Sequence, residues 1–225
     1  MSFFLSLHQA TTSERDYLLT SPLIGAALSG SVNRGTYIAF LEQAYHHVSH
    51  TVPLLMACGS RLPRHLGWLR DAIAHYIEEE NGHEEWILND VRASGGDAEA
   101  VRNGQPALAT ELMVSTMYDR IARINPASML GMVFVLEGTS VALASRAAAS
   151  LTQALRLPAE AFTYLTSHGA LDQEHIRFFE RLVNRLDSLE DQRDVLHTAR
   201  VVYRLYADMF RALPVPQEKT HALAG

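Results

Sequence analysis

Three stretches of the sequence carry residue types that bind metal ions. Glu80 and His83 form a Glu-x-x-His pair. His168, Asp172 and His175 follow a His-x-x-x-Asp-x-x-His spacing. Glu137 is the one ionisable residue between Asn125 and Arg146. On a helix, spacings of three and four put side chains on one face, so each group offers oxygen and ring-nitrogen donors to a shared point. Carboxylates and imidazoles without thiolates suit iron or manganese better than structural zinc.

Such residues are informative only where the elements carrying them turn them inward. The segment from Pro126 is apolar nearly all round, so its helix belongs at the centre of a bundle. An unpaired Glu137 there would cost several kcal/mol or lose its charge, so it is a metal ligand, a catalytic acid or one half of a buried Glu–Arg pair. The helix after Ala159 has an apolar seam of Leu165, Phe179, Leu182 and Leu186, and His168, Asp172 and His175 fall in that seam. The helix from His65 has a seam of Leu69, Ile73, Tyr76, Ile87 and Val91 with Glu80 and His83 inside it; Glu79 competes with Glu80 for the same role. The first long helix offers Glu42, His46, His47 and His50. Its seam is Leu41, Tyr45, Val48, Val52 and Leu55, which Glu42 and His46 flank while His47 and His50 point more nearly away. A donor at Glu42 or His46 is therefore expected.

The boundaries follow from local signals. Ser21-Pro22 and Asn125-Pro126 read as N-caps followed by proline at the first helical position. Ser188 with Asp191 resembles a capping box, and Gly95-Gly96 stops the helix before it. Long helices are expected over Gly35–Ser60, His65–Ala93, Leu108–Ile124, Pro126–Arg156, Ala159–Leu186 and Leu189–Leu213, with shorter ones before Gly30. No hairpin dipeptide separates alternating runs. The expectation is an all-α bundle forming one domain over residues 1–213, with a disordered tail over 214–225.

Composition narrows the partners. The chain has 225 residues and a formal net charge of -6, which argues against a nucleic-acid partner and gives no polybasic patch for a membrane surface. Its basic residues are arginines except for Lys219. No lysine is thus available for Schiff-base work inside the fold. One cysteine, Cys58, excludes an internal disulfide and fits a reducing compartment. The apolar N-terminus lacks a basic region, and no uninterrupted apolar run is read as membrane-spanning. A cytoplasmic protein is expected.

The segment Glu79-Glu80-Asn81-Gly82-His83, then Glu137, then His168-x-x-x-Asp172-x-x-His175, resembles the haem-oxygenase-like diiron oxidases and oxygenases. The resemblance runs from about Gly35 to Leu186. It implies a haem-oxygenase-like (TenA-like) multi-helix bundle, two Fe(II) ions or their manganese equivalents, and dioxygen with a small-molecule substrate as partners. Oxidative decarboxylation, N-oxygenation and oxidative C–C cleavage are the reactions it suggests. It implies Glu80, His83, Glu137, His168, Asp172 and His175 as ligands, with His46 as the first-helix donor and Glu137 at the reacting centre. Many members place a glutamate on the first core helix, where this chain reads Tyr45-His46-His47-Val48-Ser49-His50. Relatives similar to the chlamydial death-domain-associated protein need a lysine beside the metals, which this chain lacks. Self-association into a homodimer is left open.

Three alternatives make different demands. A ferritin-like diiron protein would leave His168 idle. A metal-free enzyme of the thiaminase or pyrroloquinoline-quinone synthase type would, for the hydrolase, need a cysteine nucleophile, and Cys58 reads as an inert core thiol. A true haem oxygenase would need a proximal histidine on an early helix, for which His8 is the candidate. A non-catalytic metal-binding protein would use the same ligands without turnover.

Overall fold

The apolar stretch after Asn125 sets the architecture, because a helix with no polar face must be surrounded by others. In this computed structural model residues 2–215 are described, with the side chains of 168–175 outside the described set. The described residues form helices and no strand. In chain order these are α1 (Phe3–Ala10), α2 (Thr12–Leu19), α3 (Pro22–Ser29), α4 (Arg34–Val48), α5 (Thr51–Arg61), α6 (Gly67–Glu80), α7 (His83–Ala93), α8 (Ala98–Asn103), α9 (Leu108–Asp119), α10 (Met129–Leu155), α11 (Thr163–Val183) and α12 (Leu189–Ala212). Residues 216–225, most of the expected tail, lie outside the described residues.

The central helix is α10, packed against α3, α11 and α12. Gly131 lets α10 and α12 cross closely: a Cβ there would stand 2.6 Å from the Val195 carbonyl oxygen and 2.8 Å from the Ala199 nitrogen. By length and composition Pro126–Leu155 could cross a membrane, although Glu137 and Arg146 interrupt its apolar run. However, 67% of its apolar window is buried inside the bundle, as a core helix requires.

The caps form largely as expected. Asn125 Oδ1 accepts the Ala127 N–H at 2.9 Å, and Gly95, at φ +73°, closes α7 with Gly96 N–H donating to the Val91 carbonyl at 2.8 Å. The Ser188 hydroxyl accepts from the Asp191 N–H at 3.3 Å. The Asp191 carboxylate instead receives Asn125 Nδ2 at 2.8 Å, so it ties α12 to the start of the central helix.

Two helices drawn as continuous are broken. The first long helix ends at Val48 and restarts at Thr51. Pro53 explains the break, since in an unbroken helix its ring would clash with the carbonyl of Ser49. The second breaks between α6 and α7 at Gly82, whose φ of +91° is one that glycine adopts freely.

The last helix clasps the first two. Arg200 Nη2 donates to the Ala10 carbonyl at 2.9 Å and Arg211 Nη2 to that of Tyr17 at 2.7 Å. The Tyr17 hydroxyl donates to Asp208 at 2.8 Å, and the Arg204 and Arg211 guanidinium groups lie 4.5 and 4.2 Å from the Tyr17 ring centre.

Candidate metal centre

A cavity of about 150 Å³ runs beside α10. Its walls are mainly aliphatic and aromatic, but three helices bring metal-binding side chains to it: His47 from α4, Glu80 from the last position of α6 and Glu137 from α10. Tyr76 and Tyr206 add hydroxyls to the same wall. Glu137 is 8% exposed and His47 2%. The His47 ring meets the Tyr206 ring edge-on, with centroids 5.6 Å apart, which limits how it can turn.

The other residues expected from the sequence fall in different places. His83 is buried and its Nδ1 lies 3.0 Å from Glu80 Oε2, so the Glu-x-x-His pair meets even though the helix breaks between its members. The His83 ring stacks on Trp86 at 4.0 Å between centroids. Of the two adjacent glutamates, Glu80 lines the cavity, whereas Glu79 approaches His75 Nε2 at 3.3 Å. His168, Asp172 and His175 lie outside the residues whose side chains are described; the helix that carries them, α11, packs along α10 and α7.

On α4 it is His47 that lines the cavity. His46 is not among the cavity's described lining. Its Nε2 is buried without a hydrogen-bond partner among the described residues, and lies 3.7 Å from where a Cβ on Gly104 would stand. His50 Nδ1 meets the Tyr118 hydroxyl at 3.0 Å, on the side of α9. Burial lowers the pKa of both, and each favours its neutral form. Glu42 does not line the cavity either. The α4 residues that line the cavity are Thr36, Tyr37, Phe40, His47 and Val48.

The start of α11 is fixed by Asp90, which is fully buried on α7. Its carboxylate receives the N–H groups of Thr163 and Tyr164. Burial pushes its pKa up to about 6, against the pull of those two N–H donors. Nearby, the buried Tyr37 hydroxyl donates to the Ala161 carbonyl at 2.7 Å, and burial followed by the Asp90 charge raises its pKa.

The donor chemistry fits a divalent cation. Two carboxylates share the cavity with an imidazole, and its described lining includes no lysine or arginine. Carboxylate and imidazole donors of this kind suit an ion such as iron or manganese. Among the described residues no three His, Cys, Asp or Glu side chains are close enough together to hold one ion. Cys58 plays no part. It is fully buried, its thiol donates to the Pro126 carbonyl at 3.2 Å, and burial pushes its pKa to about 12.

Comparison with known proteins places this arrangement. A family model described as iron-containing redox enzyme matches residues 38–207. No curated protein matches significantly by sequence. Among solved structures, a domain of unknown function with a haem-oxygenase-like fold from Shewanella denitrificans superposes with a TM-score of 0.82 at 22% identity, covering 93% of this chain and 90% of that one. Haem oxygenase from Leptospira interrogans gives 0.78 at 17% identity, over 95% and 100% of the two chains. A TenA homologue from Pseudomonas syringae gives 0.75 at 14% identity, over 93% and 91%.

Proposed function

Because the chain belongs to the family of iron-containing redox enzymes and has the haem-oxygenase-like fold, we propose that it is a non-haem oxidoreductase holding up to two Fe(II) ions and using dioxygen to oxidise a small organic substrate. The observation that carries this reading is that His47, Glu80 and Glu137 all line one largely apolar cavity. These three would hold iron from the cavity side. The spacing of His168, Asp172 and His175 in the sequence makes them the ligands proposed from α11. Bound iron would supply electrons and open coordination positions for dioxygen reduction.

The protein's own groups prepare the reaction. His83 holds Glu80 in one orientation, and the edge of Tyr206 does the same for His47. Apolar walls exclude water, which strengthens every charge interaction inside. A carboxylate oxygen of Glu137 is the group placed to exchange a proton with a molecule in the cavity.

Two rival chemistries find less support. His8, the candidate haem ligand, is exposed on α1 and is not among the cavity's described lining. A thiol nucleophile is disfavoured by the raised pKa and buried setting of Cys58.

Anaerobic loading with Fe(II), followed by elemental analysis and oxygen uptake, tests the reading. Wild type should retain iron, and Glu137→Gln should retain less and take up no oxygen while keeping its helical circular dichroism. A wild-type protein that retains neither iron nor manganese would overturn the proposal. Unfolding of both Glu137→Gln and Glu137→Ala, with a stable metal-free wild type, would make Glu137 a member of a structural ion pair instead.

A further inference from the structure

The cavity continues past its polar end. Along α10, the residues Glu137, Ser140, Ala144, Ala147 and Leu151 all face it, recurring every three or four positions as one helix face does. From Glu137 to Leu151 that face runs roughly 20 Å at 1.5 Å per residue. Leu23, Ala27 and Leu28 of α3 also line the cavity. Beyond Ser140 the described lining contributed by α10 and α3 is entirely aliphatic. Alanine at 144 and 147 leaves open space that a larger side chain would fill. The far end is latched: the Ser150 hydroxyl donates to the Leu28 carbonyl at 3.0 Å, and a Cβ on Gly30 would stand 3.3 Å from the Ala154 Cβ.

We infer that this arm receives an unbranched aliphatic chain, with the reacting end of the substrate held at Glu80 and Glu137, and that Ala144 and Ala147 set the chain length admitted. The inference rests on the reading of the polar end as the reaction centre. A zwitterionic substrate the length of the arm would bury a charge against the aliphatic faces of α3 and α10. An alkyl chain loses nothing there, and each methylene it buries improves affinity roughly fourfold, the equivalent of about 0.8 kcal/mol.

Calorimetric titration of the metal-free protein with hexanol, octanol, decanol and dodecanol tests this. Alcohols are chosen because a carboxylate head would be repelled by Glu80 and Glu137 when no metal is present. Wild type should bind one alcohol per chain, with affinity rising about fourfold per methylene until the arm is full. Ala147→Phe should weaken dodecanol at least tenfold and leave hexanol unchanged. Ala144→Leu, at a more buried position, should act alike; if it fails to fold, Ala147→Leu is the milder substitute. An affinity independent of chain length in wild type, or undiminished dodecanol binding in Ala147→Phe, would overturn the inference. Iron retention is measured separately, so a failed metal site with an intact alcohol series defeats the proposed function alone. A flat alcohol series with iron bound defeats the chain inference alone.

Discussion

Asp90 on α7 caps a helix that is not its own: its carboxylate receives the N–H of Thr163 at 3.1 Å and of Tyr164 at 2.9 Å. The first turn of α11 is thereby fixed to the helix that begins with His83. The folded-state pKa of Asp90 is raised from 3.8 to about 6. A raised carboxyl pKa means that the folded protein binds this proton more tightly than the unfolded chain does. Its contribution to stability is therefore full below about pH 4 and is lost as pH rises through about 6. Asp90→Asn keeps an acceptor but has no proton to lose. Denaturant titrations from pH 4 to 7 should show wild type losing stability relative to Asp90→Asn by on the order of 1–3 kcal/mol. Parallel curves for the two proteins would show that Asp90 does not titrate in this range.

The two neighbouring histidines of α4 should separate cleanly. His47→Ala removes a side chain that lines the cavity and should lower bound iron or weaken it by roughly tenfold to a hundredfold. His46→Ala removes a ring outside the described lining and should leave iron content unchanged, with a stability change of about 1 kcal/mol. Elemental analysis beside melting curves reads both effects. Iron loss in His46→Ala alone would reverse the assignment.

For α11, the comparison is between His168→Ala and His175→Ala. Both should lose iron if the haem-oxygenase-like ligand set holds, again by roughly one to two orders of magnitude in affinity. A ferritin-like site predicts that only His175→Ala loses it. Iron equal to wild type in His168→Ala would remove His168 from the ligand set.

Gly131→Ala tests the crossing of α10 and α12. The added methyl meets backbone at 2.6 and 2.8 Å, and backbone cannot swing aside as a side chain can. A loss of about 1–3 kcal/mol is expected in urea unfolding. An unchanged midpoint would mean that the two helices can separate slightly without penalty.

Much of the fold was legible because helical signals dominate the chain. The apolar ring around Glu137 announced the central helix, and Ser188, Asn125 and Gly95 marked ends that form as read. The breaks at Ser49 and Gly82 were missed, although Pro53 and Gly82 both signalled them, because the apolar seams run on across each break. The missed break at Ser49 also bears on the site. Reading one rigid seam from Leu41 to Leu55 turned His47 away, whereas His47 lines the cavity beside Val48. The meeting of Glu80 with His83 was legible from spacing alone. The caps that Asp90 and Asp191 make on distant elements were not, because no local pattern links residues more than sixty positions apart.

The clasp of α12 over α1 and α2 fixes an order of events during synthesis. Arg200, Asp208 and Arg211 reach residues about 190 positions earlier. Leu7 and Leu18, fully buried in the finished protein, belong to the helices that the clasp covers. Those two short helices leave the ribosome well before α12 and must wait for it before their apolar faces are fully covered. Contacts so distant in sequence form late and slowly, and surface exposed meanwhile invites aggregation. A chain halted before α12 would thus have a central helix but would leave α2 without the helix it packs against.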